Sequence, residues 1–199
     1  MSNLVKAVIN IVKSFGYDLI YAIKEGFYIR AGADNYKNYS INKRYSNHLK
    51  FGAALETVKP LALKYCKGRG VDVGASLWPL KGARGIDNSP EENAYKINES
   101  SKSLDFVFSS HTLEHLDRPY EALEEWVSKL RQGGVLFLYL PHPGCDMWKP
   151  ENLKFHKWSP DPVCLEEKLS QEMNMDIVYV TYLPDAYFSF VVVAKKIDA

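Results

Sequence analysis

The sequence predicts an α/β domain: a doubly wound, mostly parallel sheet that ends in an antiparallel β-hairpin, with a helical cap ahead of it. Three observations predict it. Short strand-like runs at Val71–Val73, Ala83–Asp87, Leu104–Ser109 and Val135–Leu140 alternate with helix-forming stretches, as parallel strands joined by crossovers do. Two strand-like runs, 176–183 and 186–195, are then separated only by Pro184-Asp185. That joint is too short for a parallel crossover, so the two must pair antiparallel. Finally, the first strand ends in Val73-Gly74 and the second in Ile86-Asp87. A glycine turn and a strand-tip acid are what an open α/β sheet uses to receive a nucleotide-type ligand.

The elements follow in order. Residues 3–15 place Leu4, Val8, Ile11, Val12 and Phe15 on one helical stripe, with Ser2 to cap the start and Gly16 to end it. The plain reading is a helix packed on the body. Two lysines make a weak polar face for the sharper one, peripheral membrane contact. Residues 17–46 are rich in tyrosine, lysine and arginine with poor periodicity, and read as a loop-rich cap with short strand or helix pieces. Tyrosine and arginine together suit recognition of sugars, phosphates or rings, and equally an ordinary polar interface. Residues 47–66 resume a helical pattern that Pro60 should kink. The division expected is a cap over 1–66, with a role in acceptor binding, and the sheet domain over 67–199.

Beyond the first two strands, Ser89-Pro90-Glu91-Glu92 has the form of a helix start. Asp117-Arg118-Pro119 starts a second helix through Trp126 and Leu130, which Gly133-Gly134 should stop. A helix near 163–173 precedes the hairpin. The interval from Asp72 to Asp87 is short and contains Trp78-Pro79, so a full helix between the first two strands barely fits.

The bulk numbers set the class. A chain of 199 residues, 46% hydrophobic and 25% charged, makes one ordinary globular domain with an appended element. Cys66, Cys145 and Cys164 show no paired spacing, which fits free thiols in a reducing compartment. No segment is long and apolar enough to span a membrane, and the N-terminus lacks the form of a signal peptide, so a cytoplasmic protein is expected. Net charge is +1, with a basic first third on an acidic remainder. Intramolecular pairing explains that asymmetry more simply than a charged partner does. No nucleic-acid module is present, and none is expected as partner.

Three segments resemble the class I S-adenosylmethionine-dependent methyltransferases, those of type 11 in particular. They are Val71-Asp72-Val73-Gly74 with Asp87, the run Leu104–Leu116 with its Leu113-Glu114-His115-Leu116 turn, and Leu130–Pro141 with its Gly133-Gly134 pair. The likeness spans roughly residues 65–196. It implies a Rossmann-like fold, S-adenosylmethionine as cofactor, and methyl transfer to a small-molecule or saccharide-type acceptor. Only the first glycine of the family's Gly-x-Gly-x-Gly survives, as Gly74 in Gly-Ala-Ser-Leu-Trp. A branch of the family with a short Pro/Gly loop at this point matches Trp78-Pro79-Leu80-Lys81-Gly82. The alternative reading is a non-catalytic binding or scaffolding module with a degenerate cofactor site, in which Trp78 or Leu80 fills the cofactor space.

On that resemblance the cofactor-binding set is Asp72, Gly74, Ala75, Ser76, Asp87, Asn88, Ser109, Ser110 and His111. Asp87 would receive the ribose hydroxyls, Asp72 the loop or the amino group, and the end of the Leu104 strand would line the pocket. The catalytic candidates are His111 and His142, at the ends of two strands, as general bases for a hydroxyl acceptor. His156 and Trp158 fall in the long segment between Pro141 and Pro162, expected to shape the acceptor pocket. His111-Thr112-Leu113-Glu114-His115 also matches the inverted zinc-protease pattern. A strand runs straight into His111 and the chain restarts two residues after His115, so one helical turn makes a poor platform and the third ligand must come from elsewhere. No metal is expected. The partners expected are the small-molecule or glycan acceptor and a second copy of the chain in a homodimer.

Overall fold

A computed structural model describes residues 17–22, 26–31 and 53–197. The helix expected over 3–15 lies outside them. The first segments are backbone strands β1 (Tyr17–Ala22) and β2 (Gly26–Ala31), paired antiparallel from Tyr17–Ala31 to Ala22–Gly26.

The body is one six-stranded sheet built from β3 (Gly70–Val73), β4 (Ala83–Ile86), β5 (Leu104–Ser110), β6 (Leu130–Pro141), β7 (Met175–Val180) and β8 (Ser189–Lys196). Their order across the sheet is β4-β3-β5-β6-β8-β7. The first four are parallel to one another; β8 runs antiparallel to β6 and to β7. This is the Rossmann-like arrangement the strand pattern predicts, hairpin included. The hairpin strands are shorter than expected, and residues 181–188 form its loop.

Both faces of the central strands are buried, which explains why they read as unbroken apolar runs. Side chains alternate between the faces. Phe106 and Phe108 of β5, Phe137 and Tyr139 of β6, and Val191 and Val193 of β8 share one cluster. Helix α1 (Ala53–Tyr65) covers it through Val58 and Ala62. Val107, Leu136, Leu138, Leu140 and Val192 form the other cluster, covered by Leu123 and Trp126 of α2 (Pro119–Lys129) and Leu165 of α3 (Pro162–Glu167). Pro119 opens α2 and Asp161 caps α3, accepting from the N–H groups of Val163 and Cys164.

Two expectations are corrected. No helix follows Ser89. Its hydroxyl caps the Glu92 N–H as a helix start would, but Glu92 turns to Arg84 of β4, and Asn93 and Lys96 form a local bridge. Ile97 is anchored in the core, its N–H held by Glu125, so the chain is drawn along the sheet instead of coiling. Gly133-Gly134 does not end α2 either. That helix stops at Lys129, and the glycines lie inside β6, where the register with β5 shifts between Leu104 and Phe106. A Cβ on Gly134 would come 3.0 Å from the Leu104 carbonyl oxygen, so this crossing of strands needs glycine.

Candidate functional site

A cleft of about 290 Å³ opens at the carboxyl ends of β3 and β5. Ligands of open parallel sheets bind at those ends. Asp72, Gly74, Ala75 and Ser76 line it from β3 and its turn, Ser110 from β5 and His111 from just beyond it, and Ala54 and Leu55 from α1. Trp78 and His115 complete the wall.

The glycine turn is fixed by two constraints. Gly74 has φ +83°, a left-handed backbone that suits glycine. It also has no room for a side chain: a Cβ there would lie 1.9 Å from Thr112 Oγ1. Thr112 is held in place by the carbonyls of Val73 and Ser110, to which its hydroxyl donates. The Gly74 N–H returns to Ile86 O, tying the turn to β4.

Asp72 is only 3% exposed. Its Oδ2 accepts the Leu80 N–H at 2.7 Å and so anchors the short Trp-Pro loop. Burial pushes its carboxyl up to about 7, against the opposing pull of that hydrogen bond. Trp78 is 42% exposed, a wall of the cleft and not a plug, while Leu80 is buried among Phe106, Phe108 and α1.

At the other side His111 is gripped from several directions. Its Nε2 lies 3.0 Å from Ser189 Oγ and its Nδ1 lies 3.3 Å from Glu114 Oε1. Tyr139 meets the ring edge-on. Glu114 is wholly buried. Burial by itself would raise its carboxyl, but the contact with His111 and the charges of His111 and His115 outweigh it and hold the group below its ordinary value. Ser189 is equally buried and so serves to orient the ring. His156, from the 141–162 segment, stacks on Trp148 and meets His115 edge-on. Burial, the largest effect on it, lowers its readiness to take a proton.

The sequence-predicted residues separate into groups. Asp72, Gly74, Ala75, Ser76, Ser110 and His111 converge on the cleft. Ser109 is buried and its hydroxyl donates to Val73 O, tying β5 to β3. Asp87 and Asn88 are exposed at the tip of β4, with Asp87 Oδ1 accepting the Asn88 N–H. His142 is not among the cleft residues: Nδ1 accepts the Gly144 N–H, which leaves Nε2 to donate to Tyr182 O. Neither ring nitrogen of His142 is then open to take a proton. Thr112, Ala54 and Leu55 were not expected at the site; Trp78 was, as a side chain that could fill the cofactor space. The helical pattern over 47–66 was legible, but nothing local says that its first turn faces a ligand.

The model of the methyltransferase-domain family matches residues 52–138, from the start of α1 through the glycine turn into β6. Residues 52–138 thus match a methyltransferase domain. Solved methyltransferases share the fold. One from Archaeoglobus fulgidus is 18% identical, with TM-score 0.57 over 78% of this chain and 100% of that one. One from Mesorhizobium loti is 14% identical, with TM-score 0.56 over 73% and 99%. A chain from the Haloferax volcanii complex of the Trm112 methyltransferase activator with a methyltransferase is 12% identical, with TM-score 0.59 over 82% and 98%. No curated protein matches the sequence.

The cofactor of this methyltransferase family is S-adenosylmethionine, and the cleft fits it. Ser110 Oγ is buried at the lining with no hydrogen-bond partner among the described residues, as expected of a group that a ligand satisfies. Asp72 offers a carboxylate beside the turn for a cationic amino group.

Proposed function

We propose that the chain catalyses methyl transfer from S-adenosylmethionine to a hydroxyl-bearing small molecule or saccharide. The open cleft beside Gly74, with Trp78 on its wall and not inside it, carries this reading over that of a non-catalytic scaffold. The cofactor supplies an electrophilic methyl on a sulfonium. The chain's own task is to align an acceptor with it.

In this reading Asp72 receives the amino group, and Gly74, Ala75 and Ser76 bring backbone close to the methionine part. Asp87, with Asn88, receives the ribose hydroxyls as the cofactor extends along β4. His111 is the general base once its Nε2 exchanges the Ser189 hydroxyl for that of the acceptor: Glu114 stands behind Nδ1, so the protonated ring has its charge balanced. Phe155 is 74% exposed, and its carbonyl holds His115 at the cleft wall. Trp78 on the cleft wall supplies an apolar face of the kind that stacks on sugar rings, which supports a saccharide-type acceptor. Residues 1–66, rich in tyrosine and basic groups, would cap the acceptor.

No helix of the described residues is long and apolar enough to cross a membrane. Cys66, Cys145 and Cys164 are free thiols, which supports a cytoplasmic setting. A homodimer and an absence of nucleic-acid binding complete the proposal. Calorimetry with S-adenosylhomocysteine tests it: one site with micromolar affinity is expected, and no heat at millimolar ligand would overturn it.

A further inference from the structure

Glu114, His115 and His156 meet beside the cleft, and one ligand-capable atom from each lies within 4.8 Å of the others. The two rings are oriented by backbone carbonyls. His115 Nδ1 pairs with Phe155 O at 3.0 Å, and His156 Nδ1 with Trp148 O at 2.6 Å. A carbonyl only accepts, so each Nδ1 carries the proton and each neutral ring presents a lone pair at Nε2. Imidazoles that bind metal ions are oriented in this way, by a second partner on the other nitrogen.

Facing those lone pairs is the Glu114 carboxylate, wholly buried, with neither oxygen hydrogen-bonded among the described residues. His115 Nε2 lies 3.9 Å from Glu114 Oε1, and His156 Nε2, also buried, has no hydrogen-bond partner among the described residues. With both rings neutral, two lone pairs face a buried anion, which then has only His111 as a counter-charge within reach. His111 Nδ1 approaches the same oxygen and, when protonated, offsets part of that charge. It leaves the second carboxylate oxygen and His156 Nε2 unanswered.

We propose that Glu114, His115 and His156 bind a divalent first-row transition-metal ion, with Zn2+ as the probe, through one carboxylate oxygen and two Nε2 atoms. The donor set is the nitrogen–oxygen mixture such ions take, and three protein ligands leave a fourth position open. Ligands about 2.1 Å from a tetrahedral ion lie about 3.4 Å apart, so the trio draws together slightly on binding. His115 is partly exposed and lines the cleft, which gives the ion a way in and sets its open position towards the cleft. An acceptor oxygen there would be made more acidic. That last role rests on the methyl-transfer reading; the binding of the ion does not. The expectation of no metal depended on a single turn as platform. The tertiary fold adds His156, forty-one residues further along the chain, as the third ligand.

The test uses the untagged full chain in a Cys164→Ser background, because Cys164 is the exposed thiol and binds Zn2+ adventitiously. After chelator treatment, calorimetric titration with Zn2+ is expected to show one equivalent at micromolar affinity or tighter. Co2+ is expected to give the visible absorption of a nitrogen–oxygen site without a thiolate band. His156→Gln and Glu114→Gln should each weaken binding on the order of 100-fold or more, since loss of an outer partner alone costs 10–100-fold. His115→Gln, at a partly exposed ring, serves if a buried variant fails to fold. No binding at millimolar Zn2+, or one equivalent retained in the variants, overturns the inference. S-adenosylhomocysteine binding to the metal-free protein is measured in parallel. Its presence without Zn2+ binding sinks the metal site alone, and its absence with Zn2+ binding sinks the methyl-transfer reading alone.

Discussion

Thr112 Oγ1 occupies the space that a Cβ on Gly74 would need, 1.9 Å from its ideal position. The glycine turn and the β5 exit loop are therefore packed as one unit, and the cleft lies where they meet. Gly74→Ala should destabilise the protein by about 2 kcal/mol or more, from left-handed strain plus overlap. Adding Thr112→Ala should recover the overlap but not the backbone strain, leaving about 1–2 kcal/mol. Urea unfolding of the two variants separates these contributions. Equal loss in both would refute the packing argument.

Asp72 should make stability fall as pH rises. Its folded pKa is about 7 against an ordinary value of 3.8, because burial disfavours the charged form. Between those values the native state holds a proton that the unfolded state releases, so unfolding free energy declines with pH and levels off above about 7. The full effect is no more than about 4 kcal/mol. Asp72→Asn keeps an oxygen for the Leu80 N–H and removes the titration. The variant's stability advantage should therefore grow from pH 5 to pH 8. An advantage that shrinks over that range would contradict the assignment.

Cofactor binding should be linked to the same proton. A cationic amino group beside Asp72 favours its charged form, so S-adenosylhomocysteine affinity should rise from pH 5 to pH 7 with release of a proton. Calorimetry in two buffers of different ionisation enthalpy reads that proton directly. An affinity independent of pH would remove Asp72 from the amino-group role.

His111 and His142 should respond differently to the same change. His111→Gln should lower kcat by 10²–10⁴-fold, the ordinary range for a general base, with cofactor affinity largely kept. His142→Gln breaks backbone contacts to Gly144 and Tyr182 and should reduce Tm with kcat retained. Release of S-adenosylhomocysteine is the readout. A kcat loss confined to His142 would reverse the roles.

Tyr139 and Asp185 hold the hairpin loop. The tyrosine hydroxyl donates to Asp185 Oδ2 at 2.6 Å, and the N–H groups of Tyr187 and Ser189 donate to Oδ1. Tyr139→Phe leaves a half-buried carboxylate short of one donor and should cost about 1–3 kcal/mol by urea unfolding. Ser189 bonds His111, so a milder loss of kcat should accompany it. A neutral result in both would mean that water replaces the hydroxyl.

The strands were legible because burial on both faces writes itself as a continuous apolar run, as in Leu104–Ser110. The hairpin was legible because the joint expected at Pro184-Asp185 and the longer loop found, 181–188, are both too short for a parallel crossover. Ser89 misled because its capping bond forms as expected while Arg84 and Glu125 decide the path of the chain beyond it. Gly133-Gly134 misled because a helix stop and a strand bulge ask for the same residue. At the site, Gly74 and His111 could be placed from strand ends alone. Thr112 over Gly74, the first turn of α1 beside it and His156 next to Glu114 could not, since each is a contact between segments that no local pattern records.

Trp78 gives the cleft its own optical reporter. Trp126 and Trp148 are buried, and the partly buried Trp158 packs on Tyr120 with its indole N–H donating to Leu113 O, whereas the Trp78 indole is 42% exposed on the cleft wall. Fluorescence excited in the tryptophan band should therefore shift to shorter wavelength as a ligand displaces water from that ring. A Trp78→Phe chain should lose the signal and keep the binding heat. The short loop that replaces a helix at this point thus lets occupancy of the site be followed in a cuvette, without a label and before any acceptor is known.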